Sequence, residues 1–159
     1  MKDLYLEKAD MNLSALNTEI IVPKIPCETM KNGDEITVDL GNHYVGYFSF
    51  RLECAAAYID APVRLYIQFF EMANELEYDF STYKGTFCKS WIQDEIINID
   101  YPGEHRMQRR YSARYIKIKI LATPKDVVLS DFKMEAVTSA DVKQLKNLHC
   151  CDSELKKSI

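Results

Sequence analysis

The residues best placed to do chemistry lie between Glu71 and Gln93. Glu71, Glu75, Glu77 and Asp79 fall close together among Tyr78, Phe80 and Tyr83, and Trp91, the single tryptophan, follows. Two carboxyl groups held roughly 5 to 9.5 Å apart, one with a raised pKa, can cleave a glycosidic bond. Acids at this spacing in a loop read instead as a solvated surface. Asp94 and Glu95 are adjacent, and on a strand they point to opposite sides. His43, His105 and His149 are far apart, and nothing local builds a Ser/His/Asp or Cys/His arrangement around them. No P-loop, GxGxxG, HExxH or EF-hand pattern occurs. The expectation is therefore no catalytic residue, no metal and no cofactor.

Trp91, Tyr83, Glu71 and Gln93 form a candidate carbohydrate-binding set. Sugars stack their apolar faces on aromatic rings while polar neighbours bond the hydroxyls. The competing reading puts Trp91 in the core or against another domain. Cys27, Cys54, Cys88, Cys150 and Cys151 are odd in number and contain no CxxC pair, which reads as free thiols in a reducing cytoplasm. His149-Cys150-Cys151-Asp152 lacks a second ligand pair with zinc-like spacing.

Composition narrows the function classes. A chain of 159 residues, 47% hydrophobic and 28% charged, can bury the core of one soluble domain. A net charge of −4 opposes bulk nucleic-acid binding. Arg106, Arg109, Arg110, Arg114, Lys117 and Lys119 form a basic run, but strand alternation splits them over two faces. No apolar run reaches the ~20 residues of a membrane span. Met1-Lys2-Asp3 opens a mixed charged stretch without a secretory pattern, which predicts a cytoplasmic protein.

The elements that must hold these residues are β-strands. Glu19–Val22 reads as a short strand ended by prolines, and Asn32-Gly33 as a tight turn. Ile36–Leu40 and Tyr44–Leu52 are β-rich runs joined by Gly41-Asn42-His43, where the chain is expected to reverse. Tyr44, Gly46, Phe48, Phe50 and Leu52 share one face, and a strand glycine such as Gly46 signals the close approach of another backbone. Val63, Leu65, Ile67 and Phe69 alternate with polar partners. Glu71–Lys89 reads as a long loop with one helical turn, and Trp91–Tyr101 as a strand with Ile97 and Ile99 inward. In the next strand Arg114 shares a face with Ile116, Ile118 and Ile120, and is expected to pair with a buried acid or carbonyl. Val127–Val137 ends the β-region, with Phe132, Met134 and Ala136 inward, and short helices are expected after residue 139.

This order predicts an all-β protein, an antiparallel, jelly-roll-like β-sandwich with short C-terminal helical segments. The expected divisions are a lead-in over 1–32, the sandwich over 33–138 and a helical linker over 139–159.

Asp39-Leu40-Gly41, Tyr44 to Phe50, Asp60-Ala61-Pro62-Val63-Arg64-Leu65 and Arg109 to Ile116 together resemble bacterial α-L-rhamnosidases. Ser90-Trp91-Ile92-Gln93 and Val137 to Asp141 are similar to the same family, in the same order. The resemblance implies the β-sandwich that immediately precedes a catalytic α/α barrel. Asp152 to Lys156 looks like the start of the first barrel helix, so the inverting carboxylates are expected beyond this chain. The implied role is non-catalytic: supporting or positioning the barrel, the principal partner. Two alternatives stay open. One is a module binding rhamnose-containing glycans. The other is a fragment that forms homodimers through Leu145, Leu148, Leu155 and Ile159.

Overall fold

Strands form where β-branched and aromatic residues alternate with polar ones, because such side chains suit a pleated, half-buried surface. The computed structural model describes residues 17–25, 28–54 and 61–138, of which Thr18–Val137 cluster into one compact unit. The described residues form eight strands: β1 (Asn17–Ile21), β2 (Glu28–Met30), β3 (Glu35–Cys54), β4 (Val63–Phe70), β5 (Asp94–Ile99), β6 (Gly103–Arg106), β7 (Tyr111–Ala122) and β8 (Val127–Thr138). Their order is β1-β8-β3-β7-β4-β5, with β2 also on β8 and β6 also on β3. The expected all-β sandwich is what the chain forms.

β3 belongs to both layers. Its first half pairs antiparallel with β7, which pairs with β4 and in turn with β5. Its second half pairs with β8 and β6. Even-numbered side chains of β3 (Val38, Leu40, Phe48, Phe50 and Leu52) are buried, and so are Val63, Leu65, Ile67 and Phe69 of β4. Phe48 carries the core between layers: its ring lies 6.2 Å from Phe69 of β4, edge-on, and 6.2 Å from Phe132 of β8, stacked.

Three expectations need correction. The chain does not reverse at Gly41-Asn42-His43; β3 runs straight through. Asp39 pairs with Tyr115 and Tyr44 with Ala113, so the surplus residues 40–43 bulge from one continuous antiparallel ladder. Gly41, at φ +82°, supplies the left-handed conformation that the bulge requires. That bulge shifts the phase of β7. Tyr111 and Ala113 are buried, and then Ile116, Ile118 and Ile120. Arg114 therefore faces outward, half exposed, and pairs through Nε with Asp39 Oδ1 at 3.0 Å and through Nη2 with Oδ2 at 3.2 Å. Its partner is an exposed acid, not a buried one. Hydrogen bonds from Arg114, with one from the Gly41 N–H, hold the Asp39 carboxyl below its ordinary range. A similar shift occurs in β8, where Asp131 takes φ +51° and two residues oppose Phe50. Phe132 and Met134 are inward as expected, while Ala136 is only half buried.

The third correction concerns the segment before β5. The loop contains three 3-10 turns rather than one, Ala73–Glu77, Phe80–Thr82 and Lys89–Trp91. Trp91 sits on the last of these, because Trp91 and Ile92 donate their N–H groups to Cys88 and Lys89. Its side chain is outside the core, 76% exposed. Expectations for residues 1–16, Cys27, the run after Cys54 through residue 60, and everything from residue 139 lie outside the described residues. These include the short helices, His149-Cys150-Cys151-Asp152, and Leu145, Leu148, Leu155 and Ile159.

Candidate functional site

The loop between β4 and β5 leaves and returns at one place on the sheet. Phe69 N–H bonds to Gln93 O at 2.9 Å, tying the loop's end to its beginning. Phe80 packs on buried Phe70, ring centroids 5.1 Å apart, and Tyr78 packs on Phe80. Lys117 of β7 reaches the Leu76 carbonyl and lies over the Phe70 ring. Glu75 Oε2 accepts the backbone N–H groups of Glu71 and Met72 at 2.9 and 3.0 Å. Asp79 Oδ1 accepts the Ser81 N–H at 2.9 Å. Two of the acids that suggested catalysis are thus turn-forming groups.

The loop so fixed encloses two adjoining concavities of about 400 and 350 Å³ that share Tyr83, Trp91 and Ile92. The first is walled by these residues and Phe87, and is almost wholly apolar. The second is more polar, with Glu71, Glu75, Tyr78 and Gln93 on its rim and Phe69 and Phe80 in its wall. All four residues singled out in the sequence, Trp91, Tyr83, Glu71 and Gln93, line this second concavity. Sequence reasoning missed Phe87, although an apolar residue within a polar loop was a usable signal, and noted Tyr78 without placing it in the set. Phe87 is 70% exposed and its ring lies 6.4 Å from that of Trp91.

Gln93 does not serve as a free polar arm. Its side-chain amide donates to Ser112 O at 3.0 Å and accepts the Ser112 N–H at 2.7 Å. It thereby continues the ladder along β7 past the end of β4, which reaches only the Phe70–Tyr115 pair. Replacing Gln93 by leucine should leave both Ser112 backbone groups without these partners and destabilise the domain by about 1–2 kcal/mol. Amide exchange at Ser112 should quicken by about tenfold or more, and unchanged exchange would refute the bridge.

Nothing in the local pattern signals that His43, Glu71 and Ser112 meet, since the bulge of β3, the loop and β7 supply one each. Ser112 Oγ donates to Glu71 Oε1 at 3.1 Å and lies 2.8 Å from His43 Nε2. Having one proton, the serine gives it to the carboxylate and accepts from the imidazole. His43 Nε2 is itself 3.6 Å from Glu71 Oε1. In a nucleophilic triad the acid sits on the far ring nitrogen and the near nitrogen accepts the serine proton. Here acid and hydroxyl share one nitrogen, so the trio clasps the loop to the sheet rather than activating the serine. Glu71 Oε2, by contrast, accepts no hydrogen bond from the described residues.

Asp94 and Glu95 are similarly engaged. Asp94 accepts the Tyr66 hydroxyl at 2.8 Å and Glu95 the Tyr111 hydroxyl at 2.6 Å, on opposite faces of β5 as expected. Burial first, and then these carboxylates, push both phenols upward, so each remains a donor. Glu95 also pairs with Arg109 at 3.1 Å, beside a concavity of about 290 Å³ that includes His105. Burial holds His105 below the ordinary histidine value, which favours its neutral form. Hydrogen bonds from Ser81 hold Asp79 down, opposite to what a general acid needs. No three His, Cys, Asp or Glu side chains among the described residues gather as a metal site.

Comparison with known proteins gives three findings. Residues 7–138 match the family described as glycosyl hydrolase family 78 alpha-rhamnosidase N-terminal domain. A rhamnosidase from Klebsiella oxytoca, with rhamnose bound, superposes with a TM-score of 0.71 at 28% identity over 79% of this chain and 30% of that one. The family 78 rhamnosidase of Bacillus sp. GL1 superposes at 0.57 with 16% identity, over 82% of this chain and 13% of the other, and shares the fold. The chain thus spans under a third of either enzyme's length. No curated protein sequence matches it.

Proposed function

The chain belongs to the glycosyl hydrolase family 78 alpha-rhamnosidase N-terminal domain family, and from that premise we propose that it is a non-catalytic sandwich that supports or positions the catalytic part of an α-rhamnosidase-like hydrolase. The observation that carries this reading is the engagement of its carboxylates. Glycoside hydrolysis needs one carboxyl with a raised pKa facing a second across the bond. In the described residues Glu75 and Asp79 hold turns, Asp39, Glu95 and Glu135 hold arginines, and Glu71 is part of a clasp. The carboxyls displaced from their ordinary value, Asp39 and Asp79, are displaced downward. These acids stabilise a scaffold.

The expected result is that the purified chain releases no nitrophenol from 4-nitrophenyl α-L-rhamnoside above the buffer rate. Turnover by the chain would overturn the non-catalytic reading. Joining it to the catalytic barrel of a family member should raise the barrel's unfolding temperature or its kcat/KM. If both stay at the values of the barrel alone, the positioning role is lost.

A further inference from the structure

We propose that the groove on the β4–β5 loop is a binding site for a pyranose with an apolar edge, a 6-deoxyhexose of the L-rhamnose type, which it holds without cleaving. The site is inferred from the groove itself, and the choice of sugar rests on the family reading above.

Three features point to such a ligand. Trp91 and Phe87 are 76% and 70% exposed, yet they are neighbours with centroids 6.4 Å apart, inclined at 58°. Scattered apolar residues on a surface need no explanation, but adjacent exposed rings at the wall of a concavity mark a contact surface. Two inclined rings present faces to the C–H surfaces of a sugar, and Ile92, which lines the same concavity, adds to an apolar end suited to a methyl group. The second feature is the polarity gradient: the apolar concavity opens into one rimmed by Glu71 and Tyr78. Among the described residues one Glu71 carboxylate oxygen has no hydrogen-bond donor, while the clasp of the other to Ser112 and His43 fixes the group's direction. A preorganised acceptor facing an aromatic wall is the arrangement that orients a hydroxylated ring. The third is size. At about 400 and 350 Å³ the concavities fall at the small end of ligand sites, roughly 300–1,000 Å³. Each has room for a sugar ring.

The test uses the whole chain and two sugars that differ only at carbon 6. L-Rhamnose carries a methyl there and L-mannose a hydroxymethyl, which the apolar end cannot hydrogen-bond. Trp91 is the only tryptophan, so its fluorescence reports on the groove alone. Rhamnose should saturate the signal with a Kd of about 1 mM, as suits a ligand of some ten heavy atoms on an open surface. L-Mannose should bind at least about threefold more weakly, the loss from placing one hydroxyl in an apolar pocket. Amide shifts on rhamnose addition should centre on residues 83–92 and Glu71. Trp91→Ala, at an exposed position that leaves the fold intact by circular dichroism, should reduce the amide response about tenfold or more. Lys133→Ala, on another strand, should leave it unchanged.

No amide or fluorescence response at 100-fold above the expected Kd, a response mapped elsewhere, or equal binding by Trp91→Ala would each overturn the site. A groove that instead buries Trp91 in a dimer by sedimentation, with no sugar response, would do the same. These failures are separate from that of the scaffold role: loss of the effect on a joined barrel with rhamnose binding retained would sink only the latter.

Discussion

Gly46→Ala should cost about 3 kcal/mol or more and lower the unfolding temperature on the order of 10 °C. Gly46 lies mid-strand between two ladders, opposite Tyr111 of β7 and Ala136 of β8. A Cβ there would stand 2.1 Å from the Glu135 carbonyl oxygen, 2.7 Å from its carbon and 2.8 Å from Ala136 Cα. All three obstacles are backbone, so no side-chain rotation relieves them. β8 must move away, and with it the Tyr47–Glu135 and Phe48–Met134 pairs. Overpacking usually costs about 1–3 kcal/mol because neighbours yield; here the neighbour is a hydrogen-bonded strand. Gly103→Ala is the control, since its added Cβ meets nothing within 4 Å. Thermal unfolding by circular dichroism decides, and a near-neutral Gly46→Ala would show that β8 is free to shift.

Phe48→Ala should be comparably damaging, about 3–5 kcal/mol. Phe48 is fully buried, and its ring lies 5.8 Å from Phe50, 6.2 Å from Phe69 and 6.2 Å from Phe132. Those neighbours sit on three strands, β3, β4 and β8, so the ring is where the two layers meet. Truncation loses the transfer energy of the ring and leaves a void that strands locked in ladders cannot close. Phe48→Leu refills most of the volume and should cost about 1–2 kcal/mol. Urea unfolding with an unchanged m-value would measure the difference. If alanine cost no more than leucine, the layers would be able to collapse onto each other, contrary to this packing.

The fold was legible where local pattern carried it. Val63–Phe70 alternates cleanly, and the strand lies at those residues with its odd positions buried. Gly46 between aromatics signalled a close backbone, and Glu135 is that backbone. The candidate site was legible only as a neighbourhood. Trp91, Tyr83, Glu71 and Gln93 were near in sequence, and a loop anchored at both ends by β4 keeps them near in space. Their individual duties were not readable. Gln93 turned out to bridge Ser112, because β4 stops short and leaves the β7 edge to be completed.

Two features of the sequence, its period-2 alternation and its glycines, determined that this chain makes strands, which faces they bury over short stretches, and where backbones come close. Both are properties of residues a few positions apart. The tertiary structure alone decided that β3 passes through Gly41 without turning, because a bulge and a reversal use the same left-handed glycine and differ only in what lies opposite. It decided the phase shifts at Arg114 and Asp131, which depend on how many residues the partner strand supplies. It also brought His43, Glu71 and Ser112 together and left Trp91 outside the core. Glu71, Glu75 and Asp79, among the acids that first suggested catalysis, hold the loop in place. The rings beside them form its open face.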